Sequence, residues 1–415
     1  MNAISEHEIS NLLSNQRSLH IEVVTETYPP EVNGVAHTVS MLVQGLKREL
    51  HSVCVIRPRQ ASDLVCNYPK NTDPEQSVLS DLVSSLPIPF YRELRMGMPA
   101  KRHLIKRWTK QRPDIVHIAT EGPLGWSAVR AARTLGIPTT SDFRTNFHAY
   151  STLYKLGFLE PIIMSYMRHM HNATDRTMVP STKLSQELKS RGFSHISVIP
   201  RGIDTEHFSN KYRSPDLRAS WGVTPTDVVL LSVGRLAVEK NLELLIRSYD
   251  ALRAVEPTTK LVIVGDGPLR ALLSKQCPTA IFAGTLRGTA LSEHYASADI
   301  FIFPSLTETF GNVTIEAMAS GLAVVAYQHA AAGDLIESGH NGITVPPNDE
   351  NSFIQAVLDL SMNRSLSQKI SKAAVDTAKK HAWESIVQRT VTVFQDVIQT
   401  RQNTFACHDK FISST

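Results

Sequence analysis

Apolar residues in this chain fall mostly into short unbroken runs, set between stretches whose apolar positions recur every three or four residues. His20–Glu26, His51–Pro58, Asp114–Thr120, Pro138–Phe143, Arg176–Pro180 and His195–Pro200 are runs of the first kind. Val35–Leu50 and Leu124–Leu135 are of the second kind. The pattern restarts after residue 226 with Val228–Gly234, Lys260–Gly265, Ala280–Gly284, Asp299–Pro304, Ala323–Tyr327 and Gly342–Pro346. Near-continuous apolar runs predict strands covered on both faces, and their alternation with helices predicts parallel sheets. Two such series predict two doubly wound α/β domains, joined through the polar segment Asn210–Asp227. His381–Gln402 has a helical period and is expected to cross back onto the first domain. The predicted division is a polar extension over 1–17, a first domain over 18–205, a second over 206–380 and a C-terminal helix and tail over 381–415.

In such sheets ligands bind at the carboxyl ends of the strands, so the strand-end loops carry the candidate chemistry. Residues 305–321 are the most informative. Glu308 and Glu316 lie on either side of a Phe310-Gly311-Asn312 turn that opens a helix, directly after the strand Asp299–Pro304. The first N–H groups of a helix lack internal partners and favour an anion, here at Gly311, Asn312 and Val313. Carboxylates flanking that point can grip hydroxyls on both sides of a phosphate, which fits a nucleotide-sugar. A second loop, Gly234-Arg235 through Lys240-Asn241, places two cations at a helix start, suited to a diphosphate and to charge building on a leaving group. A third, Val264-Gly-Asp-Gly-Pro268, lacks the last glycine of a dinucleotide fingerprint and is read as a β–α turn. In the first half, Gly34 precedes a helix within Thr25–Val35, where a glycine lets the backbone approach a phosphate. A plain turn is the alternative. His117, Glu121 and the segment Ser141–Tyr150, with Arg144 and His148, are candidates for an acceptor pocket. His169 and His171 face different sides of one helix and make poor metal ligands.

Composition narrows the class. Four scattered cysteines with no CxxC pair argue against zinc or a disulfide framework and make a reducing cytoplasm the expectation. No run is long and apolar enough to span a bilayer, and the N-terminus lacks a signal-peptide profile. Residues 1–200 carry 23 Lys and Arg against 17 Asp and Glu, the remainder 20 against 22, so the first half is the basic one. The excess concentrates in Tyr91–Arg112, where Lys106, Arg107 and Lys110 surround Trp108. A basic amphipathic helix with a tryptophan can lie on an anionic membrane; its plain alternative is a helix packed through that stripe on its own domain. No readout motif accompanies the charge, so nucleic acid is not expected.

In combination, Pro29-Pro-Glu-Val-Asn-Gly-Val35, Arg201-Gly-Ile-Asp204, Gly234-Arg235 with Lys240 and the Glu308/Glu316 pair resemble the retaining nucleotide-sugar glycosyltransferases of family four, from about His20 to about Gln402. Their fold, GT-B, is two facing Rossmann-like domains. Thr25-Glu-Thr-Tyr-Pro-Pro and Phe147-His-Ala-Tyr make the chain most similar to bacterial GDP-mannose-dependent α-mannosyltransferases, and next to sulfoquinovosyl-diacylglycerol synthases. The resemblance implies that Arg235 and Lys240 bind the donor diphosphate, Glu308 the transferred sugar and Glu316 the ribose. It also implies that Gly34 sits by the diphosphate. It implies transfer of a hexose, mannose foremost, to an acceptor hydroxyl with retained stereochemistry and front-face attack. No Asp-x-Asp metal motif is present, so no metal or other cofactor is expected. Two departures stand out: similar sequences tend to show Phe-His-Thr where this chain has Phe143-Arg144-Thr145, and Ala119, Thr120 and Glu121 occupy the loop where the family carries a pocket histidine. A UDP-sugar-dependent glucosyl- or sulfoquinovosyltransferase to diacylglycerol stays open, as do a nucleotide-sugar epimerase and a non-catalytic nucleotide-sugar-binding protein. The expected partners are a nucleotide-sugar, a lipid or glycan acceptor and an anionic membrane surface. The expected location is cytoplasmic, peripheral at the inner face of the plasma membrane.

Overall fold

The structure is a computed structural model and describes residues 17–31, 33–60, 63, 79–88, 91–143, 160–306, 308 and 311–412. The chain divides into two compact units, one of residues 1–200 with 386–415 and one of residues 201–385.

The first unit is built on a seven-stranded sheet ordered β3-β2-β1-β6-β7-β8-β9, with every pairing parallel. Its strands are β1 His20–Val24, β2 Ser52–Pro58, β3 Leu79–Val83, β6 Ile115–Ile118, β7 Thr139–Asp142, β8 Arg176–Val179 and β9 Ile196–Val198. β1, β2, β6 and β7 are buried along almost their whole length, as continuous apolar runs require when helices cover both faces. The helix Trp383–Ile412 begins in the second unit, and from Ile386 it packs on this one. Phe394 lies 5.5 Å from the His117 ring, and a Cβ on Gly45 would overlap Val387. Arg176 and Asp396 close at 2.7 Å, as do Arg401 and Asp175.

Sequence reading missed β3 and a small antiparallel pair, β4 Ser85–Ile88 with β5 Tyr91–Gly97. The basic segment is therefore not one helix. Its first part is β5, and only Lys101–Lys110 is helical. The apolar stripe of that helix faces its own unit, with Leu104 and Trp108 fully buried. Arg107 donates to Glu22 at 2.9 Å, approaches Asp81 at 3.5 Å and reaches the Cys54 thiol at 3.1 Å. Trp108 is thus corrected from membrane contact to core and Arg107 to a half-buried partner of the buried Glu22, whereas Lys106 and Lys110 remain exposed.

The second unit carries a six-stranded parallel sheet ordered β12-β11-β10-β13-β14-β15. Here β10 is Val229–Val233, β11 Lys260–Val264, β12 Ile281–Gly284, β13 Ile300–Phe303, β14 Ala323–Tyr327 and β15 Ile343–Val345. β13 alternates between two apolar layers: Phe301 and Phe303 join Trp221, Ile315 and Met318 on one face, while Ile300 and Ile302 join Leu244, Tyr249 and Phe353 on the other. Each such fully buried side chain contributes about 1.5–3 kcal/mol. The polar stretch read as a connection belongs to this unit. Arg218 is buried and donates to the carbonyls of Ser297, Thr224 and Asp227 and to Asp299. Among the described residues no helix is long and apolar enough to cross a membrane.

Candidate functional site

The strand order of the second sheet reverses between β10 and β13, so the loops that follow these two strands lie side by side at the switch point. The first carries Gly234, Arg235 and Lys240, the second Ser305 and Glu308. They meet directly: the Lys240 ammonium pairs with Glu308 Oε1 and lies 5.3 Å from the Phe303 ring centroid. The Ser305 hydroxyl donates to the same carboxylate oxygen at 2.8 Å. Leu306 N–H donates to the Glu239 carbonyl at 2.9 Å, tying one loop to the other. Arg235 is exposed beside this cluster in sequence.

Gly265 explains the Gly-Asp-Gly loop without a dinucleotide. Its φ is +136°, and a Cβ there would overlap the Gly234 carbonyl oxygen. Gly267 abuts the Leu236 backbone in the same way, and Leu236 N–H donates to the Asp266 carbonyl at 2.9 Å. These glycines let the loop after β11 lie flat against the cation-bearing loop.

The helix Asn312–Ala319 follows Gly311, whose φ of +84° suits the turn from strand-end loop into helix. Gly311 brings no side chain to cap this helix, and among the described residues none is bonded to its start, which suits the first N–H groups to an anion. Asn312 is exposed and Val313 half-buried at its mouth. Glu316, one turn further in, accepts a 2.9 Å bond from the Tyr295 hydroxyl. Burial pushes its carboxyl up to about 7 even though the Tyr295 bond lowers it. Tyr295 itself is raised well above the usual phenol range by burial and the neighbouring carboxylate. Thr307, Thr309 and Phe310 lie outside the described residues.

In the first unit, Gly34 opens the helix Gly34–Arg48 and is exposed, with no atom of the described residues beyond its chain neighbours within 4 Å of where a Cβ would stand. The fold itself therefore does not demand glycine there. Asn33 caps this helix, accepting from Ala36 N–H at 2.8 Å and donating to the Thr27 hydroxyl at 2.7 Å. Thr27 in turn donates to Glu31.

His117 does not line a pocket. It sits in mid-strand, fully buried, 3.0 Å from the Thr140 hydroxyl and 3.3 Å from Asp142, under Phe394. That expectation is corrected: a strand-interior histidine beneath a packed helix cannot touch a substrate. Glu121 turns inward, its side chain 11% exposed and 3.7 Å from the buried His171. Arg144 and His148 lie outside the described residues.

Several residues with a part in these loops were not identified from the sequence. Ser305 and Tyr295 hold the two glutamates, and only tertiary approach reveals that. Glu26 is the counterpart at the first unit's own switch point, between β1 and β6. Its carboxylate accepts from the backbone N–H groups of Gly97 (2.6 Å) and Leu124 (2.9 Å), filling the helix start that Gly122 leaves without a side chain. Burial raises Glu26 above the ordinary carboxyl range.

Residues 227–363 match the family model described as glycosyl transferases group 1, and residues 32–207 match glycosyltransferase family 4. A GDP-mannose-dependent alpha-mannosyltransferase of Corynebacterium glutamicum is 31% identical over 93% of this chain and 91% of its own. The sulfoquinovosyl transferase SQD2 of Arabidopsis thaliana is 32% identical over 72% of this chain and 60% of its own. The sucrose-phosphate synthase structure from Thermosynechococcus elongatus shares the fold, with a TM-score of 0.68 at 17% identity over 92% of this chain and 99% of that one. With two doubly wound units and a cation–carboxylate cluster at the second switch point, the chain belongs to glycosyltransferase family four.

Proposed function

We propose that the protein transfers mannose from GDP-mannose to a hydroxyl of a membrane glycolipid, with retention of anomeric configuration and without a divalent metal. The observation that carries this reading is the cluster at the β10/β13 switch point. Lys240, on the loop after β10 that also carries Arg235, pairs with Glu308 on the loop after β13, and the helix start at Gly311 and Glu316 follow on that same segment. Mannose and GDP are supported by the Corynebacterium relative, whose name specifies that donor.

Arg235 and Lys240 stabilise the departing nucleoside diphosphate, aided by the N–H groups after Gly311. Lys240 exchanges its Glu308 partner for phosphate oxygens, which frees Glu308 to hold sugar hydroxyls. Glu316 takes the ribose. Neither glutamate is a nucleophile: the acceptor hydroxyl attacks on the face the leaving group vacates and passes its proton to a donor phosphate oxygen. Two permanent cations supply the charge that a metal would otherwise bring. The exposed cations Arg102, Lys106 and Lys110, at four-residue spacing on one helix, suit an anionic lipid surface and support work at the inner face of the plasma membrane.

Incubation with GDP-, UDP- and ADP-sugars plus a membrane extract tests donor and acceptor together. GDP-mannose is expected to turn over only with acceptor present, giving an α-linked product by NMR. Donor-only turnover would point to an epimerase instead, and preference for a UDP-sugar to a glucosyl- or sulfoquinovosyltransferase. EDTA should leave the rate unchanged; a strict Mn²⁺ or Mg²⁺ requirement would overturn the metal-free mechanism. Lys240→Ala and Glu316→Ala should each lower kcat/KM by about 10²–10³ with unchanged circular dichroism.

A further inference from the structure

We propose that His329 is a positioning residue for Glu308 and so governs how the donor site holds the sugar, as distinct from the nucleotide. The inference rests on the donor reading above. His329 lies in the turn after β14, and its Nε2 stands 2.6 Å from the Ser305 carbonyl oxygen. A carbonyl has no proton to give, so Nε2 carries the hydrogen and donates it. Ser305 is buried, 1% exposed, and its hydroxyl donates to Glu308 Oε1 at 2.8 Å.

The segment that presents Glu308 is thereby pinned from two sides. On the β14 side His329 holds the Ser305 carbonyl. On the β10 side the Glu239 carbonyl accepts from Leu306 N–H at 2.9 Å, and the Ser305 hydroxyl oxygen stands 3.3 Å from the same carbonyl. His329, Ser305, Glu308 and Phe303 line one small recess. The residue after the histidine carries a further sign of constraint. Ala330 has φ +48°, a left-handed conformation that is costly for a side-chain-bearing residue. The chain accepts that cost where it turns the imidazole toward Ser305.

Without His329, the β14-side restraint is lost and, among the described residues, Glu308 is held through Lys240 and Ser305. Lys240 is the group that a diphosphate would take. The sugar carboxylate then becomes loose at the moment the donor binds. Nucleotide contacts through Arg235, the helix start and Glu316 do not pass through Ser305 and stay intact.

Calorimetric titration of wild type, His329→Ala and His329→Gln separates the possibilities, using GDP-mannose and GDP. Wild type is expected to bind both. His329→Ala should weaken GDP-mannose about tenfold while moving GDP less than about twofold. His329→Gln, whose amide keeps an N–H donor, should restore most of the lost affinity. Variants that bind GDP-mannose like wild type would overturn the role of His329 and leave the donor reading standing. Equal loss of GDP and GDP-mannose in both variants would likewise overturn it, since that is general damage to the site. If wild type binds neither ligand, the donor reading fails before any variant is measured, and the role of His329 falls with it.

Discussion

Glu316 is a carboxyl that titrates near neutrality, because burial beside Tyr295 raises it to about 7. Its ordinary value is 4.5, so between that pH and about 7 the folded protein keeps a proton that the unfolded chain has released. Stability from this group therefore falls as pH rises through that window. Glu316→Gln removes the dependence, and its Tm relative to wild type should rise between pH 5 and pH 8. Donor binding should show the opposite trend. A ribose held by the ionised carboxylate binds more tightly above pH 7, so wild-type donor affinity should climb from pH 6 to pH 8 and that of Glu316→Gln stay flat. A wild-type profile with no inflection near 7 would remove Glu316 from the ribose site. The place of Glu316 after a glycine turn was legible in the sequence; its titration was not, because the burial that raises it comes from elements distant in the chain.

At the scale of elements, the strands buried on both faces were legible, since apolar continuity is a direct consequence of helices on either side of a sheet. β3 and the β4–β5 pair were not. β3 lies at the sheet edge and carries Ser80 and Asp81, and β5 holds Arg92, Glu93 and Arg95, so neither presents an apolar run. The helix Lys101–Lys110 was misread for a different reason. An apolar stripe flanked by cations looks the same in sequence whether it faces a bilayer or its own core, and here Leu104 and Trp108 face the core. Arg107 consequently has a structural duty: it neutralises Glu22, which is fully buried and raised above the usual carboxyl range by that burial. Arg107→Ala would leave that carboxylate buried with only the His20 ring, 3.6 Å away, beside it among the described residues. Its cost should be about 3 kcal/mol in urea unfolding, while transfer kinetics per folded molecule remain unchanged.

For the whole molecule, the asymmetry of charge between the halves becomes a claim about where the enzyme works. With Trp108 in the core and Arg107 paired to the buried Glu22, the exposed cations of the helix Lys101–Lys110 are Arg102, Lys106 and Lys110. Each near-surface charge is worth about 1 kcal/mol on an anionic bilayer. Neutralising all three to Gln should therefore lower binding to phosphatidylglycerol vesicles by about a hundredfold in a flotation assay, and added salt should weaken wild type toward the variant. Equal flotation of the two would remove the membrane contact. The two switch points also differ in kind. In the first unit a carboxylate of the chain itself, Glu26, occupies the helix start; in the second Gly311 brings no side chain to the helix start, and the loop after β10 carries cations. The contact of Gly265 with the Gly234 carbonyl bears on how this enzyme can be redesigned. Residues 234–241 do not form a module that can be exchanged alone, because their backbone shape is cast against 265–267. A graft that brings new donor preference has to carry both segments together, and an insertion in either would need a matching change in the other.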